Sequence, residues 1–299
     1  MKYILPMENS GSAARTQRKI GIIGHRLSHT MSPAMHTAAF REKNLDFVYG
    51  VFDVNEEMLP PLLMSLKKRN FRGANVTVPY KQTVIPYLDA VSEEASSIGA
   101  VNTIVNNNGR LEGYNTDAFG VFASLLPFKE RIEKKEIVIL GAGGGARSAI
   151  YIIAKHFSPY SITIVNRTIQ NAAAVAVEFE KKFAAIRFSG IAPDAEASKT
   201  VDRAALIVNT TTVGMKPNEN ILPLPVSSVL KNSHIVFDII YNPLETMLLK
   251  KAKEAGATTI SGMEMLLGQG VKAFELFTGN DFPVEVAREA VLKELKGRR

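Results

Sequence analysis

The chain has 299 residues, 46% hydrophobic and 22% charged, the balance of a globular protein long enough for two domains. Lys and Arg number 36 against 29 Asp and Glu, a net charge of +7 that suits ligands bearing phosphate or carboxylate. There is no cysteine, which excludes disulfides, thiolate metal sites and cysteine nucleophiles, and no apolar run approaches the ~20 residues of a membrane span.

Residues 1–18 read as a flexible extension. The apolar stretch Tyr3-Ile4-Leu5-Pro6-Met7 is too short for a signal-peptide core, and residues 8–19 are small and polar. With no cysteine, this points to the cytoplasm. From Lys19 strand and helix signals alternate. Ile20–Ile23 reads as a strand. Ser32-Pro33 opens a helix to about Lys43, with Ser32 as N-cap and Pro33 as the first helical residue. Phe47–Asp53 is a strand, 55–69 a helix, and Ala74–Val78 and Val101–Val105 are strands. Residues 19–116 thus form an α/β domain. Residues 117–261 form a second one, with strands at Ile137–Leu140, Ile162–Val165, Leu206–Asn209 and Ile235–Ile240 and helices between them, Ala172–Phe183 among these. The pattern is that of a Rossmann-type, doubly wound parallel sheet. Two further helical patterns, Glu264–Phe277 and Pro283–Lys296, are expected to return to the first domain, so that 262–299 joins 19–116.

The cofactor signal lies where the strand Ile137–Leu140 meets a glycine turn. Gly141, Gly143 and Ala146 make the G-x-G-x-x-A form of the dinucleotide fingerprint, with Ala142, Gly144 and Gly145 completing the loop. Gly141 suits the tight turn, Gly143 the approach of a pyrophosphate, and Ala146 close helix–sheet packing. The next strand ends in Asn166-Arg167-Thr168, with Arg167 where an NAD enzyme places an acid. A guanidinium there can pair a 2′-phosphate, which points to NADP; the plainer reading is a surface charge after a strand.

Four segments of the first domain gather hydroxyls and amides at strand ends. They are 29–33 with Thr30 and Ser32, 75–81 with Asn75, Thr77 and Lys81, 100–103 with Asn102, and 113–117 with Asp117. Together they suit a small polyhydroxylated carboxylate, held by Thr30 and Ser32 next to a helix N-terminus. Singly, each has a bland reading: a helix cap, a polar strand face, a turn-former, a solvated lysine. His25, His29 and His36 lie close in sequence, but no cysteine or acid stands among them and no metal site is expected. No basic stripe interleaved with aromatics points to nucleic acid.

In order and spacing these segments resemble the shikimate dehydrogenase family. The resemblance rests on 28–33, 73–81, 99–103, 113–117, 141–146, 166–168, 209–215, 238–243 and 262–269. It implies a reversible NADPH-dependent reduction of 3-dehydroshikimate to shikimate in aromatic amino-acid biosynthesis. It implies Lys81 and Asp117 as the catalytic pair. It implies Thr30, Ser32, Asn75, Thr77, Asn102, Asp117, Tyr241 and Gln269 as substrate contacts. It implies Gly141, Ala142, Gly143, Gly144, Gly145, Asn166, Arg167, Thr168, Ile239, Gly262 and Glu93 as cofactor contacts. Glu93 is matched only in some members. Two departures stand out. Thr30 replaces a common Ser and keeps the hydroxyl. Asn171 stands where many NADP-using members carry a second base. Segments 113–117, 214–217 and 278–283 are similar to the quinate/shikimate branch, which uses NAD as well, whereas 77–81 looks biosynthetic. A non-catalytic ligand sensor on the same fold is the alternative of another class. A homodimer is compatible with the resemblance; the sequence does not specify the assembly.

Overall fold

The computed structural model describes residues 2–4, 17–224 and 229–297. The chain forms two compact units, Met1–Thr116 with Gln269–Arg299, and Asp117–Gly268.

The first unit opens with β1 (Lys2–Ile4), β2 (Arg18–Gly24), α1 (Ser32–Glu42) and β3 (Phe47–Asp53). It continues with α2 (Leu59–Leu66), β4 (Gly73–Val76), β5 (Ala90–Val91), α3 (Glu93–Ile98), β6 (Thr103–Asn107) and β7 (Arg110–Tyr114). The strands make one mixed sheet in the order β1-β3-β2-β4-β6-β7-β5. Most of the expected N-terminal extension, residues 1 and 5–16, lies outside the described residues. Of the rest, Lys2–Ile4 is not loose chain. It pairs antiparallel with Val51–Asp53 and covers the edge that β3 would otherwise expose. Arg18 already pairs with Phe47.

The helix expected over 55–69 is two pieces. Asn55 caps a 3₁₀ turn over Glu56–Met58 through its side chain, and α2 follows with Pro60 in its first turn. Leu59, Leu62, Leu63 and Leu66 fall at i, i+3, i+4 and i+7 and are each at most 3% exposed. Each such burial contributes roughly 1.5–3 kcal/mol. They pack with Ile23, Phe52, Val76 and Ile104 as the core of this unit. The hairpin β6–β7 turns through Asn108-Gly109, both at positive φ, a two-residue loop of the type Asn-Gly favours.

The second unit begins with α4 (Asp117–Leu125), α5 (Lys129–Ile132), β8 (Glu136–Leu140), α6 (Gly144–Phe157), β9 (Ser161–Val165) and α7 (Ile169–Lys182). Then come β10 (Arg187–Ile191), α8 (Ala195–Arg203), β11 (Leu206–Asn209), β12 (Ile235–Asp238), α9 (Met247–Glu254) and β13 (Thr258–Ser261). All six strands are parallel, in the order β10-β9-β8-β11-β12-β13. This is the doubly wound nucleotide-binding order, reversing between β8 and β11. The central strands are apolar throughout because helices cover both faces: Ile137, Val138, Ile139, Leu206, Ile207, Val208, Ile235, Val236 and Phe237 are fully buried.

Helix α10 (Gly262–Thr278) runs without a break across the division at Gly268. Helix α11 (Val284–Gly297) packs on α1 within the first unit. No described helix is long and apolar enough to cross a membrane.

Candidate active site

In the first unit, Thr30 and Ser32 flank the start of α1. Ser32 is not the cap: Met31 holds the N-cap position, no side chain caps the helix, and Ser32 is its first residue. Instead Ser32 donates its N–H to Thr30 Oγ1 at 3.4 Å, with the two hydroxyls 3.4 Å apart. Thr30 Oγ1 thus accepts one N–H of the helix start, and both hydroxyls lie at a helix N-terminus, where an anion is favoured. The preceding loop is tied down by Asp53, whose carboxylate accepts the N–H groups of Arg26 and Leu27 at 2.9 and 3.0 Å.

Asn75 and Asn102 belong to a single buried chain of hydrogen bonds. Tyr49 Oη donates to Asn75 Oδ1 at 2.7 Å, and Asn75 Nδ2 donates to Thr103 Oγ1 at 3.1 Å. Thr103 Oγ1 donates to Asn102 Oδ1 at 3.1 Å, which also accepts Thr116 N–H at 2.7 Å. Thr77 follows the end of β4, half-buried, its N–H bonded to Ile23 O. Lys81 sits in the turn after it. Tyr80 anchors that turn through a 2.9 Å bond from Oη to Val54 O, and Lys81 O accepts Val101 N–H at 2.7 Å. Gln269 is half-buried on α10. Glu93 is exposed in the first turn of α3, where the helix dipole already accounts for an acid.

His36 of α1 is fully buried, and neither ring nitrogen has a hydrogen-bond partner. Its ring stacks on Tyr49, centroids 4.7 Å apart and planes 4° from parallel, with Phe40, Phe274, Phe277 and Phe282 around it. Burial among aromatics pushes its pKa down to about 3, so the ring is neutral. Among the described residues no group of three His, Cys, Asp or Glu could hold a metal.

In the second unit the glycine turn lies at the C-terminal end of β8. Gly141 has φ of +107° and would drive a Cβ to 2.6 Å from Thr210 Oγ1, so only glycine fits without strain. Gly143 is the N-cap of α6, with no side-chain cap, and nothing stands within 4 Å of where its Cβ would be. Gly144 and Gly145 begin α6, which packs through fully buried Ala146. The turn therefore offers open backbone, helix N–H groups and positive potential, a cradle that fits a pyrophosphate. Asn166 donates its side-chain amide to Thr168 O at 2.9 Å, while Arg167 and Thr168 are exposed. Thr168 caps α7 by position but not by its hydroxyl. Asn171 is exposed one turn on.

The backbone of Gly262 is pressed against the end of β12: a Cβ would lie 2.3 Å from Ile239 O. Ile239 N–H bonds Asn209 O at 3.1 Å. Buried Asp238 holds this region together, accepting from Asn209 Nδ2 at 3.0 Å, Ile240 N–H at 3.1 Å and Thr246 Oγ1 at 2.7 Å. Burial pushes its carboxyl up to about 6. Asp117, buried, is the first residue of α4, and Tyr241 is half-buried just past β12. A cavity of about 560 Å³ lined by Ser124, Phe128, Glu245, Lys253, Ser261 and Glu264 contains none of the expected ligand contacts. Tyr49, His36, Asn209 and Asp238 were not among the expected site residues. Tyr49 alternates within an apolar strand, and nothing in the sequence distinguishes it from core.

Three family models match the chain: the shikimate dehydrogenase substrate-binding domain over 22–104, shikimate/quinate 5-dehydrogenase over 126–213, and the shikimate 5′-dehydrogenase C-terminal domain over 262–292. The NADP(+) shikimate dehydrogenase of Carboxydothermus hydrogenoformans is 44% identical over 277 residues, covering 91% of this chain and 95% of that protein. A crystal structure of a shikimate dehydrogenase with NADP+ superposes with a TM-score of 0.86 at 38% identity, covering 97% and 99% of the two chains. That of the Listeria monocytogenes enzyme with shikimate and NAD gives 0.83 at 34% identity, covering 94% and 98%.

Proposed function

The chain belongs to the shikimate dehydrogenase family, and on that premise we propose how its own residues divide the work. It is an NADP-dependent oxidoreductase of the shikimate pathway, interconverting 3-dehydroshikimate and shikimate. When bound, NADPH supplies a hydride to the ring ketone carbon. The chain must then supply one proton to the ketone oxygen as it becomes a hydroxyl. Lys81 is the donor, and its positive charge stabilises the growing alkoxide. Asp117 holds that lysine and accepts a hydrogen bond from a substrate hydroxyl. Thr30 and Ser32 bind the substrate carboxylate. Asn75, Thr77, Asn102, Tyr241 and Gln269 orient the ring.

The backbone of Gly141–Gly145 and the start of α6 hold the pyrophosphate, Asn166–Thr168 the adenosine phosphate, and the backbone at Ile239 and Gly262 the nicotinamide, with Glu93 a further contact. The boundaries 19–116 with 262–299 and 117–261 give the two functional halves. The observation that carries the site reading is the Thr30–Ser32 pair, two hydroxyls 3.4 Å apart at a helix N-terminus.

Shikimate oxidation with NADP and with NAD, followed by nicotinamide absorbance, is the test. Turnover with NADP is expected to exceed that with NAD in kcat/KM. Arg167→Ala is expected to lower the NADP value about 10-fold or more and leave the NAD value nearly unchanged, as for one charge-assisted hydrogen bond lost. Equal effects on both cofactors would return Arg167 to a surface charge. Asn171, where a second base is absent, favours one further reading: a quinate/shikimate dehydrogenase that accepts NAD. Quinate as substrate in the same assay decides it. Binding without turnover would instead point to a sensor. We infer a cytoplasmic location and a homodimer, the latter open to sedimentation.

A further inference from the structure

The buried polar groups of the first unit form a branched chain of hydrogen bonds. Thr116 N–H can only donate, so Asn102 must present Oδ1 to it, at 2.7 Å. Thr116 Oγ1 lies 3.0 Å from Asn102 Nδ2 and 3.1 Å from Thr103 Oγ1, so Thr116 holds the Asn102 amide directly and also meets the Thr103 hydroxyl. Thr103 Oγ1 in turn lies 3.1 Å from Asn102 Oδ1 and accepts Asn75 Nδ2 at 3.1 Å. That turns Asn75 Oδ1 toward Tyr49 Oη at 2.7 Å, and the phenol donates to it. The Asn75 amide is thus set between Thr103 and Tyr49. Its ring is in turn clamped by the parallel stack on His36. A buried imidazole with two unpartnered nitrogens costs free energy, so its value here is its flat face rather than its hydrogen bonds.

We propose that Tyr49, held by the His36 stack, is a positioning residue for the substrate: it fixes the amide of Asn75 directly and, through Thr103, supports that of Asn102, for the hydroxyls of the ligand. This rests on the reading of Asn102 as a substrate contact.

The test is steady-state kinetics on four variants of the full chain. Asn102→Ala is expected to raise KM for shikimate by about 10-fold or more. Tyr49→Phe keeps the ring and the stack but removes the donor. It is expected to raise KM for shikimate by about 5–10-fold, with kcat changed less than about 2-fold and KM for NADP unchanged. Thr103→Val, which cuts the middle of the chain, should do the same, and the double variant should be no worse than either single one. His36→Ala should resemble Tyr49→Phe, with His36→Phe restoring the shikimate KM. If Asn102→Ala leaves the shikimate KM unchanged, the site reading itself fails. If it raises KM while Tyr49→Phe does not, the proposal is overturned and the site reading stands. A rise in both shikimate and NADP KM, or additive effects of Tyr49→Phe and Thr103→Val, would overturn it too, since a general loss of structure produces those. If a variant loses turnover, calorimetric titration with shikimate reads the same shift as Kd.

Discussion

Lys81 stands in a turn held from two sides, by the Tyr80 hydroxyl on Val54 and by Val101 on its own carbonyl. A proton donor must be held where the proton is needed, and a turn fixed at neighbouring residues does this. Lys81→Ala is expected to lower kcat by at least ~10²-fold with little change in KM, because the donor acts on charge that develops only in the transition state. Steady-state kinetics checks it, and a near-normal kcat would remove Lys81 from the chemistry. Thr30→Ala and Ser32→Ala belong to the opposite class. A carboxylate clamp grips substrate and transition state alike, so the shikimate KM should rise and kcat hold. The residue types of this site were legible in the sequence, since hydroxyls and amides at strand ends stand out from apolar runs. The role of Ser32 was not: Ser-Pro at a helix start reads as cap and first residue, and the local signal does not separate that from a register one residue earlier, with Met31 at the cap. Tyr49 was illegible for a different reason. Only the registers of β3 on β2 and of β2 on β4 bring its hydroxyl to Asn75, and those registers are long-range facts.

At the scale of elements, the strands buried on both faces were the easiest to read, because Ile137–Leu140, Leu206–Asn209 and Ile235–Asp238 carry unbroken apolar runs. Strands short or polar enough to hide were passed over: Ala90–Val91, Arg110–Tyr114, Arg187–Ile191 and Thr258–Ser261. For Arg110–Tyr114 a local clue existed in Asn108-Gly109. The glycines separate fold from binding. Gly143 has ordinary extended backbone and empty space beside it. Gly143→Ala should therefore melt at the wild-type temperature yet raise KM for NADP by about 10-fold or more, the added methyl taking the room of a phosphate. Gly262→Ala should behave the other way. Its Cβ meets backbone at 2.3 Å, so α10 must shift from β12, at a cost of about 1–3 kcal/mol visible as a lower Tm. Calorimetry and NADP titration on both variants distinguish the two.

For the whole molecule, two buried groups, one in each unit, respond to acid with opposite sign. His36 lies in the first unit, its native pKa near 3 and its unfolded value near 6.5. Unfolding lets it take a proton, so its contribution is fully present above about pH 6.5 and is lost as pH falls toward 3. Asp238 lies in the second unit, with a native pKa near 6 against 3.8. There the native state holds the proton more tightly, so stability is gained as pH falls from about 6 to 4. Each full effect is of the order of 3–5 kcal/mol. Between pH 6.5 and 4 the segments packed around His36 should lose protection relative to those around Asp238. Hydrogen exchange resolved by segment checks this, with His36→Phe expected to flatten the first response and Asp238→Asn the second. Unchanged relative protection around the two residues across that range would refute it.

The unbroken helix α10 carries one more consequence, concerning synthesis. The second unit is a single stretch, 117–268, set inside the first. On the ribosome it can be whole while the first unit still lacks Phe274, Phe277 and Phe282, the rings that enclose His36. The inner unit can then fold as translation proceeds, whereas the outer one must keep its half-built aromatic nest open until the segment beyond Gly268 has emerged. A nascent chain halted just past that point should bind nicotinamide dinucleotide before it can bind shikimate.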